Sequence, residues 1–303
     1  MDDRETDTHS TRAASPAPVA ELSIVIPCRN VAAVLPRQLD ALARERWGHP
    51  WEVVIADNGS TDDTRTVATS FAHRLPALRI VDAGSRAGRQ YACNEGAKSA
   101  GRAVVFVDAD DEIAPNFVAA MGDALAEHPV VAAAMDHEEL NDGWVRAANG
   151  GFQSRSLQNG FGFLPFGGGG TLGVQRAVFD AVGYFADDMD YAEDVDFCWR
   201  AQLAGFELHF EPDARLRYQY RPRVRAMYRQ HRNFGEGSAL LYRTYRDRGM
   251  PRRTTRAWLR EWYGIARGLL AVRSRADAAR WSRRCGRAIG RLRGSVRYRV
   301  WFP

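Results

Sequence analysis

A repeated alternation does most to restrict the fold of this chain: a short apolar run, a polar or acidic break, then about a dozen residues with helical spacing. Leu22 to Ile26 is apolar and closed by Pro27, and Val34, Leu35, Leu39 and Leu42 give helical spacing over residues 34–46. Val53 to Ile55 ends in Asp57-Asn-Gly-Ser-Thr-Asp62, and residues 61–72 read as a helix capped by Ser60 or Thr61. Leu78 to Val81, a helix over 88–99, and Ala103 to Val107 ending in Asp108-Ala-Asp-Asp111 continue the series. Pro115 starts a further helix to about Glu127, and Val130-Val131 begins a fifth strand. Such units predict a parallel α/β sheet covered by helices on both faces, with ligands bound beyond the carboxyl ends of the strands.

Those ends carry Pro27-Cys-Arg-Asn30, Asp57, Asp82 and the group Asp108, Asp110 and Asp111. Asp62 and Asp63 read as helix caps, but a cap does not account for the run after the fourth strand. Crowded carboxylates repel, and a hard divalent cation, Mg²⁺ or Mn²⁺, removes the repulsion while bridging a substrate diphosphate. The four cysteines, Cys28, Cys93, Cys198 and Cys285, are scattered, so neither a disulfide framework nor a zinc site is expected and a reducing, cytoplasmic setting is. No GxxxxGK[ST], GxGxxG or GxSxG follows a strand, which disfavours ATP hydrolysis, NAD-dependent redox chemistry and an α/β-hydrolase. A second acidic group, Glu193-Asp194, opens a helix closed by Gly205, with a strand over Phe206 to Phe210 beyond it. Between the two acidic groups, residues 137–175 are rich in glycine and aromatics, as in a shaped ligand surface. One carboxylate group for a metal and another for proton abstraction suit sugar transfer, in which the metal stabilises the leaving diphosphate and the base activates a hydroxyl.

The runs SIVIPCRN, VVIADNGSTDDT, ACNEGAKSAGRAVVFVDADD, GGGTLGVQRAVFDAVGYF and AEDVDFCWR, in this order over residues 21–215, resemble the family 2 glycosyltransferases. The resemblance implies a GT-A fold, a mixed Rossmann-like α/β sheet, and inverting transfer from a nucleoside diphosphate sugar, a UDP-sugar first, to a hydroxyl acceptor. By the same resemblance Pro27 and Asn30 match the first nucleotide-contact loop, and Asp57 the aspartate that meets the base. Asn58 stands where the family usually has a second aspartate. Asp108 matches the acid near the ribose and Asp110 the Mn²⁺ or Mg²⁺ ligand. Gly169, Gly170 and Thr171 match the loop near donor sugar or acceptor, and Asp194 the catalytic base; Trp199 and Arg200 follow on its helix. Processive members carry QxxRW, whereas this chain has Gln230-His-Arg-Asn-Phe234 and no apolar run of membrane-spanning length, so it reads as non-processive.

Charge divides the chain: residues 1–213 hold 17 basic and 33 acidic side chains, residues 214–303 hold 25 arginines and four acids. The expected organisation is a polar, disordered leader over 1–20, a GT-A domain over 21–220 and an arginine-rich helical tail over 221–303. In the tail, Trp258, Trp262, Ile265, Leu269 and Val272 share one face, and Trp281, Cys285, Ile289, Leu292 and Val296 share another. Tryptophan with arginine suits a helix lying on an anionic membrane, which would place the enzyme peripherally on the cytoplasmic face near a lipid-linked acceptor. The plainer reading packs these helices on the catalytic domain; nucleic acid is not expected, since no nucleic-acid fold pattern is present. Two other functions fit the acidic strand ends. A silent nucleotide-sugar-binding or scaffold protein would not need Asp110 and Asp194, and a sugar nucleotidyltransferase would want a glycine-rich basic loop after the first strand.

Overall fold

The computed structural model describes residues 20–303, so the expected leader lies outside the described residues except for Ala20. Strands β1 (Leu22–Cys28), β2 (Trp51–Asp57), β3 (Leu78–Asp82) and β4 (Ala103–Phe106) are mutually parallel in the order β3-β2-β1-β4, with Leu22 to Cys28 level with Trp51 to Asp57. Every residue of β2 is buried, as its unbroken apolar run predicts for a strand covered on both faces. Alternate side chains feed two cores: Val25, Val54 and Val104 enter one, Ile24, Val53 and Val105 the other. The covering helices in this half are α1 (Leu35–Arg44), α2 (Thr64–Ser70), α3 (Arg89–Ser99) and α4 (Phe117–Glu127). Helix α2 starts at Thr64, later than expected, and of the expected caps it is Asp62, not Ser60 or Thr61, that accepts from the Thr64 backbone N–H, at 3.1 Å.

The parallel pattern stops at β4. The sheet continues through β7 to β6, β8 and β5, which are β5 (Glu112–Ile113), β6 (Val130–Asp136), β7 (Leu172–Gln175) and β8 (Leu208–Arg217). Strand β7 runs antiparallel to both β4 and β6, which restores the direction of β6 and β8 to that of the first four. The sheet is therefore mixed, and the carboxyl ends of β1, β2, β4, β6 and β8 all face one side. The strand expected over 206–210 extends to Arg217, with a register shift against β6 between Ala133 and Ala134. Short helices α5 (Gly143–Asn149) and α6 (Arg176–Val182) flank the glycine-rich segment, and α7 (Glu193–Leu203) follows it.

The tail is three helices: α8 (Val224–Tyr245), α9 (Thr255–Leu270) and α10 (Arg275–Arg297). Helix α10 carries Gly286, Gly290 and Gly294 four residues apart, one line on the helix surface. A Cβ on Gly290 would stand 1.9 Å from the Arg232 carbonyl oxygen, so these glycines set how closely α10 lies on α8. The chain then returns: Val300 and Phe302 join Ala239, Leu241, Tyr245 and Met250 in the larger core. Part of the tryptophan face of α9 turns inward, with Ile265 packed against Cys285, Ala288 and Trp281 and the Trp281 indole N–H donating to the Ile265 carbonyl at 2.9 Å, while Leu269 on the same face stays exposed. Among the described residues no helix is long and apolar enough to cross a membrane.

Candidate active site

The first two strand ends are tied into one rigid rim. Asn30, at φ +54°, accepts from the Thr61 backbone N–H at 2.8 Å, and its own N–H donates to the Ser60 hydroxyl at 3.1 Å. Pro27, half-buried, sits one residue before the end of β1. Asp57 ends β2 with 1% of its surface exposed, and its carboxylate accepts from the Ser60 N–H and the Arg65 guanidinium. Burial alone would raise its pKa, but those bonds outweigh it and hold the carboxyl below its ordinary value. Asn58 is occupied differently from the expectation. Its amide donates to the carbonyls of Ala83 and Arg86 and accepts from the Gly88 N–H at 2.9 Å, so its side chain fastens the loop between β3 and α3. A carboxylate could not make the two donations, which is a physical reason for asparagine here.

Beyond β4, Asp108 is held by Arg89, whose Nε donates to Oδ1 at 2.8 Å while the Nη2 charge lies 2.7 Å from the same oxygen. Asp110 is half-buried; burial and then the Asp108 charge raise its pKa, against the pull of Arg221 and Arg37. Asp111 is buried and also raised, by burial first and Asp108 second. One of its oxygens accepts from the Gln219 N–H at 2.7 Å and the other has no hydrogen-bond partner. Asp110 and Asp111, the latter with an orphaned buried oxygen, lie beside the Asp108–Arg89 pair with no side-chain ion pair of their own among the described residues, and this donor set fits a hard divalent cation. The described residues also group His128, Glu207 and His209 within reach of one ion. Those two imidazoles stack 3.8 Å apart at 3°, so their nitrogen lone pairs lie in parallel planes and do not converge, and they stand at the opposite ends of β6 and β8 from the acids.

The second acidic group meets the first across this floor. Ala192 adopts φ +73°, which turns the chain sharply into α7 and aims Glu193 and Asp194 at the strand ends. Asp194 accepts from the Gly169 N–H at 2.9 Å and the Val195 N–H at 2.8 Å. Glu193 contacts Arg89 at 3.3 Å, so Arg89 bridges two acidic groups that lie far apart in the sequence. Burial raises the Asp194 pKa, and burial followed by the Asp194 charge lifts Glu193 to about 7. The glycines at 169 and 170 let the loop lie close on the charged groups: a Cβ on Gly170 would stand 2.9 Å from an Asp108 oxygen and one on Gly169 3.0 Å from Arg89, so a side chain at either would push these charged groups aside. Thr171 is fully buried; its hydroxyl donates to the Gly168 carbonyl and accepts from Gln153, so it shapes the loop from beneath.

Asp196 faces away from this floor, paired with Arg200 at 2.8 Å and accepting from the Tyr245 hydroxyl at 2.7 Å. Trp199 is likewise internal, donating to the Leu164 carbonyl. The sequence reading passed over Arg89. A cation at the first position of α3 opposes the helix dipole, and that was the signal available for it.

A mixed α/β sheet whose carboxyl ends gather one acidic group after β4 and a second on α7, beneath a glycine loop, defines a GT-A transferase. The glycosyl transferase family 2 model matches residues 23–183, more than half of the chain, and the chain belongs to that family. It is 42% identical over 92 residues to a PGL/p-HBAD biosynthesis glycosyltransferase of Mycobacterium tuberculosis, covering 30% of this chain and 36% of that protein. Over 196 residues it is 24% identical to the glycosyltransferase AglE of Haloferax volcanii, covering 63% of this chain and 64% of that one. The chain thus spans about a third of the length of the mycobacterial relatives it matches. Among solved structures, the Pyrobaculum calidifontis mannosyltransferase PcManGT, determined with GDP-Man and Mn²⁺, superposes with TM-score 0.63 at 17% identity over 91% of this chain and 88% of that one. Staphylococcus aureus TarS superposes at 0.51 with 20% identity, covering 89% of this chain and 55% of that one.

Proposed function

We propose that this glycosyltransferase moves a single sugar, with inversion, from a nucleoside diphosphate sugar to a hydroxyl acceptor, with Asp194 as the base. The observation that carries this reading is the convergence of Asp194 with the Asp108 group through Arg89 and the Gly169-Gly170 turn. Asp57 and the rim around Asn30 and Pro27 would receive the nucleoside, and Asn58 acts by fixing the neighbouring loop. Asp110, with Asp111 beside it, would hold Mn²⁺ or Mg²⁺, which when bound offsets the charge of the leaving diphosphate. Asp194 takes the acceptor proton as the acceptor oxygen bonds to the anomeric carbon and the bond from that carbon to the diphosphate oxygen breaks. Its raised pKa makes it a stronger base, and the N–H donors from Gly169 and Val195 keep the carboxylate oriented. UDP-sugars are the first donors to test, with GDP-sugars beside them because the archaeal mannosyltransferase holds GDP-Man. The acceptor is proposed to be membrane-proximal, and the enzyme peripheral on the cytoplasmic face.

The test is transfer and donor binding in two variants. Asp194→Asn should lower transfer roughly 10²–10⁴-fold with donor affinity nearly unchanged. Asp110→Asn should abolish metal-dependent donor binding without lowering the melting temperature, since it lies at a strand end outside both cores and its charge is disfavoured by burial and by Asp108. Near-wild-type transfer by Asp194→Asn refutes the base, and intact Mn²⁺-dependent donor binding by Asp110→Asn refutes the metal position.

A further inference from the structure

A cavity of about 500 Å³ opens between the end of α5 and helices α8, α9 and α10. Its walls carry Arg280, Arg283, Arg284 and Arg287, with His231 and Glu261. Arg280 is paired with Asp277, and Glu261 is taken by Arg253 and Arg291. That leaves Arg283, Arg284 and Arg287 without a carboxylate in ion-pair range among the described residues. Carbonyls of Ala147 and Ala148, at the end of α5, accept from Arg280 and Arg283. A helix terminus offers only about half a unit charge, so these bonds aim the guanidinium groups without neutralising them.

His231 makes the deficit plain. Arg283 Nε points at its Nε2 at 2.7 Å, and Arg287 Nη2 lies 3.2 Å from its Nδ1. A neutral imidazole has one acceptor nitrogen, so two guanidinium donors cannot both be satisfied by it. Burial and the two arginines together push the His231 pKa down to about 3, so the ring stays neutral and adds no positive charge of its own. The cluster has donors in excess, and its one carboxylate, Glu261, is already shared by Arg253 and Arg291, inside a space large enough for an added anion. Guanidinium forks match the oxygens of a phosphoryl group in geometry as well as charge.

One short segment ties the cavity wall to the acidic floor. The Tyr220 hydroxyl donates to the Gly150 carbonyl in the cavity wall, while the neighbouring Gln219 N–H donates to Asp111. We infer that this cavity holds the phosphoryl group of the acceptor, so that Arg283, Arg284 and Arg287 anchor a phosphorylated acceptor beside the strand ends that carry the chemistry. This rests on the sugar-transfer reading above, and the source of the phosphoryl group is either a lipid headgroup or a soluble phosphate ester.

The test titrates the full chain with inorganic pyrophosphate in EDTA, where a metal-dependent donor site is silent, and separately with UDP in Mn²⁺. The wild type should bind pyrophosphate saturably, and Arg283→Gln with Arg287→Gln should weaken that binding roughly tenfold or more while UDP affinity holds. Arg284→Gln, an exposed position with no hydrogen-bond partner among the described residues, should weaken it without any cost in folding. Loss of UDP binding by the wild type would count against the donor reading alone. Pyrophosphate binding that is absent in the wild type up to about 10 mM, or equal in all variants, overturns the cavity assignment. Vesicles containing phosphatidic acid separate the sources: arginine-dependent capture of these vesicles identifies a lipid phosphate, and arginine-dependent pyrophosphate binding without vesicle capture identifies a soluble ester.

Discussion

Glu193 carries a pH signature that a single substitution can read. Its pKa rises from 4.5 to about 7, from burial first and the Asp194 charge second, with Arg89 opposing. A carboxyl whose folded pKa lies above its unfolded value binds its proton more tightly when folded. Its contribution to stability is complete below about 4.5 and disappears as pH rises through about 7. In metal-free buffer the melting temperature of the wild type should therefore fall between about pH 5 and pH 8, and Glu193→Gln should flatten that fall. At pH 8 the variant should be the more stable by on the order of 1 kcal/mol, or a few degrees. Parallel melting profiles for the two proteins across that range would show that Glu193 does not titrate there. Residue chemistry also separates what the sequence disclosed from what it concealed. The placement of Asp57, Asp108 and Asp110 at or beyond strand ends and of Asp194 at a helix start was legible because a carboxylate at such an end needs a reason. The role of Arg89 was concealed because it depends on Asp108 and Glu193, 19 and 104 residues away, arriving at one place.

At the scale of elements, the first four strands and α7 were legible because their apolar spacing reports burial directly. The antiparallel β7 was not, since Leu172 to Gln175 is short and follows a glycine run whose path is set by Asp108 and Asp194. Helix α8 lies within the tail expected to be helical, but its bounds and packing face were not legible: Gly235, Gly237, Ser238 and Ala239 are small because backbones meet there, and they give no large apolar stripe. A Cβ on Gly235 would stand 2.2 Å from the Arg287 carbonyl, and one on Gly290 would stand 1.9 Å from that of Arg232. These glycines are a packing requirement, and alanine should be penalised although it favours a helix by about 1 kcal/mol over glycine. Gly290→Ala should destabilise the protein by roughly 1–3 kcal/mol net, from overpacking at a backbone contact that cannot yield. Gly268→Ala is the control, because its Cβ would meet Trp281 at an ordinary 3.4 Å, and it should be neutral or mildly stabilising. Denaturant unfolding of both variants checks this, and equal stability for Gly290→Ala and the wild type would mean α10 can slide on α8 freely.

For the whole molecule, the division of charge is real but the tail is no detachable appendage. Met250, Val300 and Phe302 lie in the same core as Val25 and Phe106, so a chain ending near Gly249 would open that core and test nothing about membranes. The inward turn of Trp258, Trp262 and Ile265 also moves the membrane question to a neighbouring face of α9, beginning about 60° from Trp262. There Leu259, Tyr263 and Leu270 are 56%, 62% and 84% exposed. At about 100° per residue these three fall within about 40° of arc, and exposed Arg256, Arg260 and Arg267 lie directly beside them. An apolar strip bordered by arginines is the arrangement that rests on an anionic bilayer, the apolar strip in the acyl boundary and the guanidinium groups among the headgroups. Replacing Leu259, Tyr263 and Leu270 together by serine should reduce binding to phosphatidylglycerol vesicles by about tenfold or more while the melting temperature stays within a few degrees, since none of the three is buried. Wild-type binding should weaken as salt rises through about 0.15 M, where the screening length shrinks to about 8 Å. Vesicle binding by the triple variant at the wild-type level would place the membrane contact elsewhere on the protein, and binding that ignores salt would remove the arginines from it.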